Sequence, residues 1–280
     1  QRDKPQVIRQ FPIAGPKITE SMAPLRRCLK ATPILRKKLF QAEFLSTLSG
    51  ELLITLVYHC PLDEAWEAEA RDLATRLGCK LIGRSRKQKI VLDDEWVDEA
   101  LEVNGEQYRY RQPEQSFTQP NGPINQMMMQ WLLSECEPTN TDLLELYCGI
   151  GNFTLPLAQK FRQVVATELS KKATEAAHWN AAMNNVSNVS FARLSAEDMT
   201  LALANTRHFR RLEHLPQPLS QYDFSTLLVD PPRAGLDQAT LALASSFKRV
   251  LYISCNTESL RDNLTYLMPT HSIVRLAFFD

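Results

Sequence analysis

Two rhythms of apolar positions divide the chain near residue 112. In the first part the rhythm changes repeatedly. Residues 17–30 carry apolar side chains at helical spacing, and Phe40–Leu48 with Leu52–His59, on either side of Ser49-Gly50, read as a strand–turn–strand hairpin. Asp63–Leu77 reads as a second helix, since Pro61 and Asp63 begin it, acidic residues fill its first turns and Gly78 ends it. Lys80–Ile82, Lys89–Leu92 and Gln107–Arg111 are expected as further strands, which makes residues 1–112 a small α+β domain. Turn formers are dense over residues 111–121, and the boundary falls there.

Beyond Gln119 short apolar runs alternate strictly with helical stretches. Asp142–Cys148, Gln163–Glu168, Val189–Leu194, Thr226–Asp230, Val250–Ser254 and Ser272–Phe279 are expected strands, and helices are expected near 152–161, 171–184, 196–204, 237–247 and 257–268. Such alternation implies a doubly wound, mostly parallel sheet, a Rossmann-like α/β domain over residues 113–280. Residues 205–223 read as an irregular insertion, and Met127–Met129 as core packing or an interdomain contact. The chain opens on Gln1 with an extended basic stretch, Gln6–Phe11, and closes on Leu276–Asp280 in or just after a strand. The expectation is a piece trimmed at both ends.

Composition narrows the class. With 280 residues, 44% hydrophobic and 23% charged, the chain has the profile of a globular protein of one or two domains. No apolar run approaches the ~20 residues of a membrane span, and no charged stretch followed by an apolar one opens the sequence, so neither a membrane nor a secretory reading is expected. Cysteines at 28, 60, 79, 136, 148 and 255 include no closely spaced pair of the kind that zinc or iron–sulfur sites use, so no metal is expected. Free thiols in the reducing cytoplasm are the expected state. Lysine plus arginine balance aspartate plus glutamate at 32 each. Ten of the cations nevertheless fall in the first 40 residues, and a second knot follows at Arg84-Ser-Arg86-Lys87-Gln-Lys89. Such clusters suit phosphate binding.

The candidate chemistry lies at strand ends. Glu145-Leu-Tyr-Cys-Gly-Ile-Gly-Asn-Phe153 stands where the first strand of the second domain meets a helix. Gly149 and Gly151 let the backbone turn sharply and let a ligand approach it. Glu168 follows about 20 residues on, at the end of the next strand, where a carboxylate is placed to accept both ribose hydroxyls of an adenosine. A third glycine at dinucleotide spacing is missing, so a pyrophosphate cofactor is not expected. Asp230-Pro-Pro-Arg233 and Ser254-Cys255-Asn256 end two later strands, at the edge where doubly wound sheets hold their ligands.

The pattern E-x-x-x-G-x-G resembles S-adenosylmethionine-dependent methyltransferases. Asp-Pro-Pro-Arg followed by Ser-Cys-Asn, with Ser116-Phe-Thr-Gln119 and Leu146–Asn152, resembles the RNA uracil-C5 methyltransferases through nearly all of residues 115–280. Upstream, Leu35–Gln41, Leu45–Ser49 and Leu56–His59 are similar to the bacterial tRNA (uracil-5-)-methyltransferase branch, which makes ribothymidine in the T-loop. The resemblance implies S-adenosylmethionine as methyl donor, surrounded by Gln119, Tyr147, Gly149, Asn152, Glu168 and Asp230, and Cys255 as the nucleophile that adds to carbon 6 of uracil. Arg233 becomes a candidate for a uracil carbonyl or a phosphate, and Phe40 or Phe117 for a base-stacking face. The proton acceptor of the family is a glutamate in a stretch expected beyond Asp280; Glu258, in the helix after Cys255, is not promoted to that role. The implied partner is tRNA, with no membrane and no protein partner. The alternatives are a ribosomal-RNA enzyme of the same chemistry and a noncatalytic RNA-binding fragment. Amino-group methyltransferases also use a Pro-Pro motif, but Arg233 and Cys255 argue against them.

Overall fold

The computed structural model describes residues 11–280, as two compact units; residues 6–10 of the expected extended stretch, with the cations Arg2, Lys4 and Arg9, lie outside the described residues. The first unit runs to Ala100 and includes Gln112–Glu114. Its elements are helices α1 (Pro16–Ala31), α2 (Pro33–Arg36) and α3 (Glu64–Leu77), and strands β1 (Leu39–Ser46), β2 (Leu52–Tyr58), β3 (Lys80–Ser85) and β4 (Gln88–Val91). The strands form one mixed sheet in the order β1-β2-β3-β4, antiparallel except for the parallel β2–β3 pair that α3 connects. Local chemistry sets the limits of α3. The Asp63 carboxylate accepts from Trp66 N at 2.9 Å, and Gly78 leaves the helix in the left-handed region at φ 59°. Trp66, Leu73, Leu25 and Leu35 pack with Leu52, Ile54, Leu56 and Leu81 in the core of this unit.

A strand absent from the sequence reading follows. β5 (Trp96–Val103) pairs with β6 (Glu106–Pro113) across Asn104-Gly105, both at positive φ (53° and 82°), the conformation a tight two-residue hairpin turn requires. Val97, Glu99, Leu101 and Val103 alternate inward along β5. Glu99 is buried there because its carboxylate accepts from the backbone N–H groups of Leu48 (2.8 Å) and Ser49 (3.2 Å), holding the β1–β2 turn. The tip of this hairpin, Leu101–Arg111, belongs to the second unit.

The second unit, completed by residues 115–280, carries a five-stranded sheet in the order β11-β10-β7-β8-β9, parallel throughout, from β7 (Asp142–Leu146), β8 (Val164–Thr167), β9 (Val189–Ala192), β10 (Phe224–Val229) and β11 (Arg249–Tyr252). Helices cover both faces. Leu143, Val164, Ala166 and Leu228 pack with α4 (Gly122–Ser134), α5 (Thr154–Ala158) and α6 (Lys171–Met183). Leu144, Leu146, Val165, Leu227 and Val229 pack with α7 (Ala196–Leu203), α8 (Gln238–Ala244) and α9 (Thr257–Leu267). Of the expected methionine cluster only Met129 is fully buried, on α4, while Met127 is exposed. Residues 205–223 hold two single turns of 3-10 helix. The expected strand Ser272–Phe279 is overturned: no strand forms there, since those apolar side chains find no neighbouring strand to pair with and Ile273, Val274, Leu276 and Phe278 are exposed. No helix of the described residues is long and apolar enough to cross a membrane.

Candidate active site

The crevice at the carboxyl ends of β7, β8, β10 and β11 gathers the second-unit candidates. β7 ends at Leu146, and the chain then turns through Tyr147 (φ 63°), Gly149 (φ 57°) and Gly151 (φ 83°). Positive φ is strained at a tyrosine and free at a glycine, so Tyr147 is held where a bulky residue rarely sits. A Cβ on Gly149 would meet nothing within 4 Å, which leaves open space beside the turn. Cys148 N donates to Thr167 O at 3.0 Å, pinning the turn to β8, and Gly151 N donates to Cys148 O at 2.9 Å, closing the turn on itself. Glu168, just past β8, braces it from the other side. One carboxylate oxygen accepts from Gly149 N at 3.1 Å and the other from Ser170 N at 2.7 Å, so the group is fixed with lone pairs to spare. Beside it Leu169 is 63% exposed, an apolar surface at the mouth of the crevice that the sequence reading passed over.

Beneath the turn lies a polar floor. The side chain of Asn152 spends both its groups on Asn125 of α4, each amide donating to the other at 2.8 Å, and Asn152 O accepts from the Tyr110 hydroxyl at 2.9 Å. Asn180 of α6 donates to Ile150 O at 2.9 Å. Asn125, Asn180 and Tyr110 therefore set the loop, and no contiguous motif in the sequence marks any of the three. Gln119 Nε2 donates to Asp230 Oδ2 at 3.3 Å. Burial pushes the Asp230 carboxyl up to about 6, and that of Glu145, fully enclosed in β7, up to about 8.

The two remaining motifs meet each other. Asp230-Pro-Pro-Arg233 leaves β10 through Gly235 (φ 80°), and Ser254-Cys255-Asn256 leaves the neighbouring β11. Asn256 Nδ2 donates to Arg233 O at 2.9 Å, and its Oδ1 accepts from Glu258 N at 3.1 Å to start α9. Asn263 of α9 ties both loops from below, its Oδ1 accepting from Leu236 N and from the Tyr252 hydroxyl, each at 2.7 Å. Cys255 stands exposed at the top of this frame, and the Arg233 side chain is exposed too. Cys148, by contrast, is buried, and burial pushes its thiol well up. Among the described residues no cluster of His, Cys, Asp or Glu could hold a metal ion. In the first unit, Phe40 is 65% exposed with its ring edge-on to His59, centroids 4.6 Å apart.

A glycine turn with a ribose-type carboxylate is common to many proteins, but a thiol framed by Asp-Pro-Pro-Arg is specific, and the comparisons agree with it. A family model described as tRNA (Uracil-5-)-methyltransferase matches residues 1–280. The chain belongs to this family. It is 52% identical over 277 residues to the tRNA/tmRNA (uracil-C(5))-methyltransferase of Aromatoleum aromaticum, covering 99% of this chain and 75% of that protein. The corresponding enzyme of Acinetobacter baylyi is 50% identical, with 98% of this chain and 77% of that protein covered. The chain thus spans about three quarters of the length of these relatives. Its fold is similar to that of the Pyrococcus abyssi tRNA (uracil-54, C5)-methyltransferase in complex with S-adenosyl-L-homocysteine, with a TM-score of 0.68 at 19% identity over 94% of this chain and 64% of that one. The family, the doubly wound fold and the enzyme class expected from the sequence stand for this methyltransferase.

Proposed function

We propose that this chain methylates carbon 5 of a uridine in the tRNA T-loop, with S-adenosylmethionine as donor and Cys255 as covalent catalyst. The observation that carries the reading is the Asn256–Arg233 bond, which ties the turn that carries the exposed Cys255 to the backbone of the Asp-Pro-Pro-Arg loop at the ends of adjacent strands. The donor fits the residues present. Glu168 offers fixed acceptors for the ribose and Leu169 an apolar face for the adenine. Gly149 and Tyr147 line the open turn, Asn152 keeps that turn in shape through Asn125, and Gln119 with Asp230 takes the polar end. The surroundings are acidic, which suits a cationic ligand.

The donor supplies an electrophilic methyl group. Carbon 5 of uracil is a poor nucleophile until the sulfur of Cys255 adds to carbon 6 and leaves an enolate-like ring. Loss of the carbon-5 proton to a base then lets the thiol leave and restores the ring. Arg233 presents a planar fork of donors for a uracil carbonyl or a phosphate. The target uridine must first leave its stack, which RNA contacts elsewhere must drive; Phe40 supplies a stacking face for them, and the exposed cations of α1 and α2 supply phosphate contacts. The setting is the cytoplasm, where tRNA and reduced thiols coexist.

A T-loop minihelix carrying 5-fluorouridine tests the reading. Wild-type protein and Cys148→Ala form a covalent RNA adduct in the presence of S-adenosylmethionine, whereas Cys255→Ala forms none. An adduct with the Cys255 variant refutes the mechanism, and equal labelling of ribosomal RNA refutes the choice of substrate.

A further inference from the structure

The insertion of residues 205–223 takes no part in this chemistry, yet it is firmly anchored. Phe209, Leu212, Leu215 and Leu219 pack against the core on the α7–α8 side of the sheet. His214 Nε2 lies 2.9 Å from Phe191 O, and Arg211 Nη1 donates to Arg193 O at 3.0 Å. These carbonyls lie in and just beyond β9, the last strand of the sheet, so the insertion shields an otherwise open edge. Shielding accounts for the apolar residues and for His214. It does not account for the arginines. Phe209 and Leu212, three residues apart about a single 3-10 turn, take the inward side and leave Arg210 and Arg211 between them exposed. Arg193, half-buried, joins them through its carbonyl. None of the three has an ion pair among the described residues. The nearby acidic groups face other partners: Asp198 stands 3.7 Å from Arg207, Glu213 stands 3.7 Å from His208, and Glu197 acts on Tyr147. Elsewhere in this unit Arg162, Lys171, Arg261 and Arg275 each face a carboxylate. Like charges grouped without a counter-ion repel one another until an anion is brought to them.

The place of this group in the fold decides what the anion is. Thr167 of β8 pairs with Ala192, and Glu168 N donates to Ala192 O at 3.2 Å, so Arg193 stands level with Glu168 at the carboxyl edge that carries the crevice. Four strand spacings of about 4.8 Å lie between β9 and β11, which puts the arginines about 20 Å across the sheet from the strand that leads to Cys255. We infer that Arg193, Arg210 and Arg211 form a docking surface for the phosphate backbone of the RNA substrate, on the flank of the crevice farthest from Cys255. The inference rests on the tRNA reading above and adds where on the second unit the RNA lies. The planar fork of arginine suits a phosphate, and Arg211 keeps donors beyond the one given to Arg193 O. At this distance the contacts reach nucleotides other than the target. They raise affinity without touching the reacting atoms and without reading sequence.

Fluorescence anisotropy of an unmodified tRNA transcript bound by the wild-type chain, over about 0.05–0.3 M salt, counts phosphate contacts from the slope of log affinity against log salt. Each contact contributes about 0.7–0.9 to that slope, or about fivefold in affinity at about 0.15 M salt. Arg193→Ala and Arg210→Ala, whose side chains make no hydrogen bond within the described structure, each lower the slope by about one and weaken binding about fivefold. Adding Arg211→Ala brings the loss to about a hundredfold, while S-adenosylmethionine affinity holds. Replacing all three by lysine keeps the charge and restores the slope. Arg261→Ala, which removes an exposed cation already facing Asp262, leaves the slope near that of wild type. Slopes and affinities of the three alanine variants within twofold of wild type, or an equal fall in Arg261→Ala, overturn the inference and leave the tRNA reading standing. Failure of the wild-type chain to bind tRNA overturns that reading and this inference with it.

Discussion

Asn263 carries more of the site than its place on α9 suggests, and replacing it by alanine measures how much. Its Oδ1 is the acceptor for the buried N–H of Leu236, which closes the Asp-Pro-Pro-Arg loop, and for the half-buried hydroxyl of Tyr252, which precedes the Ser-Cys-Asn turn. Asn263→Ala strands both donors. At about 1–3 kcal/mol for the enclosed N–H and about 1 kcal/mol for the hydroxyl, the loss is roughly 2–4 kcal/mol. In a unit of this size about 1 kcal/mol moves the melting point by about 2–4 °C, so a fall of roughly 5–15 °C is expected. Tyr252→Phe removes one donor and leaves the other bond intact, and costs about 0.5–1.5 kcal/mol. Gly235→Ala probes the same oxygen from the opposite side, because a Cβ there would lie 2.6 Å from Asn263 Oδ1 on a backbone at φ 80°. Its effect and that of Asn263→Ala are therefore less than additive. Differential scanning calorimetry of the three single variants and the Gly235/Asn263 double variant completes the cycle. Melting of Asn263→Ala within about 2 °C of wild type, or strict additivity with Gly235→Ala, refutes the claim that one oxygen supports both loops.

Further outcomes follow from other contacts. Glu168→Ala weakens S-adenosylmethionine binding by roughly 1–3 kcal/mol in calorimetry, the scale of charged hydrogen bonds left unmade, and equal affinity removes Glu168 from the site. Asp142, wholly buried, accepts from Arg162 at 2.9 and 2.6 Å and from Asp223 N at 2.7 Å; Asp142→Ala leaves the exposed Arg162 to water but strands the Asp223 N–H, and destabilises the second unit by about 1–3 kcal/mol in denaturant unfolding. Gly83→Ala puts a Cβ 2.2 Å from the Trp66 ring and lowers the stability of the first unit by about 1–3 kcal/mol, read by the same method. Burial alone would raise the Glu114 carboxyl, but hydrogen bonds from Arg84 and Lys89 outweigh it and hold the group below its ordinary value of 4.5. Its contribution to stability is complete above that value and is lost as pH falls through the lowered one, so acid titration of Glu114→Gln shows a shallower loss below about pH 4.5 than wild type.

What could be read in advance followed from how each feature is encoded. The glycine turn, Glu168, Asp-Pro-Pro-Arg and Ser-Cys-Asn are each written in contiguous residues at a strand end, and strand–helix alternation brings strand ends together. α3 was legible because Asp63 and Gly78 carry their own boundary chemistry. β5 escaped because Asp98, Glu99 and Glu102 break up its apolar run, although Asn104-Gly105 marks the hairpin turn. The inward glutamate makes sense only with the turn amides of Leu48 and Ser49, which lie about fifty residues away. Residues 272–279 erred in the opposite direction, since strand propensity without a pairing neighbour makes no sheet. Asn125, Asn180 and Asn263 were invisible as site residues because their importance lies in their partners.

The division of the β5–β6 hairpin bears on how the chain can be rearranged. The chain enters the second unit at Leu101, returns to the first for Gln112–Glu114, and leaves again at Gln115, so neither unit is a single continuous segment. Leu101, Val103, Tyr108 and Tyr110 belong to the same apolar cluster as Met129, Phe153 and Leu228, while Glu114 receives Arg84 at 2.6 and 2.5 Å and the Thr55 hydroxyl at 3.2 Å within the first unit. A cut at residue 112 would rob one unit of core and the other of a buried anion. During synthesis the first unit stays incomplete until Glu114 has emerged, and by then the seed of the second core is already in place. For recombination the same braid forbids a clean crossover: an exchange of either unit with a relative's must carry the hairpin across as one piece, together with both sets of residues that hold it.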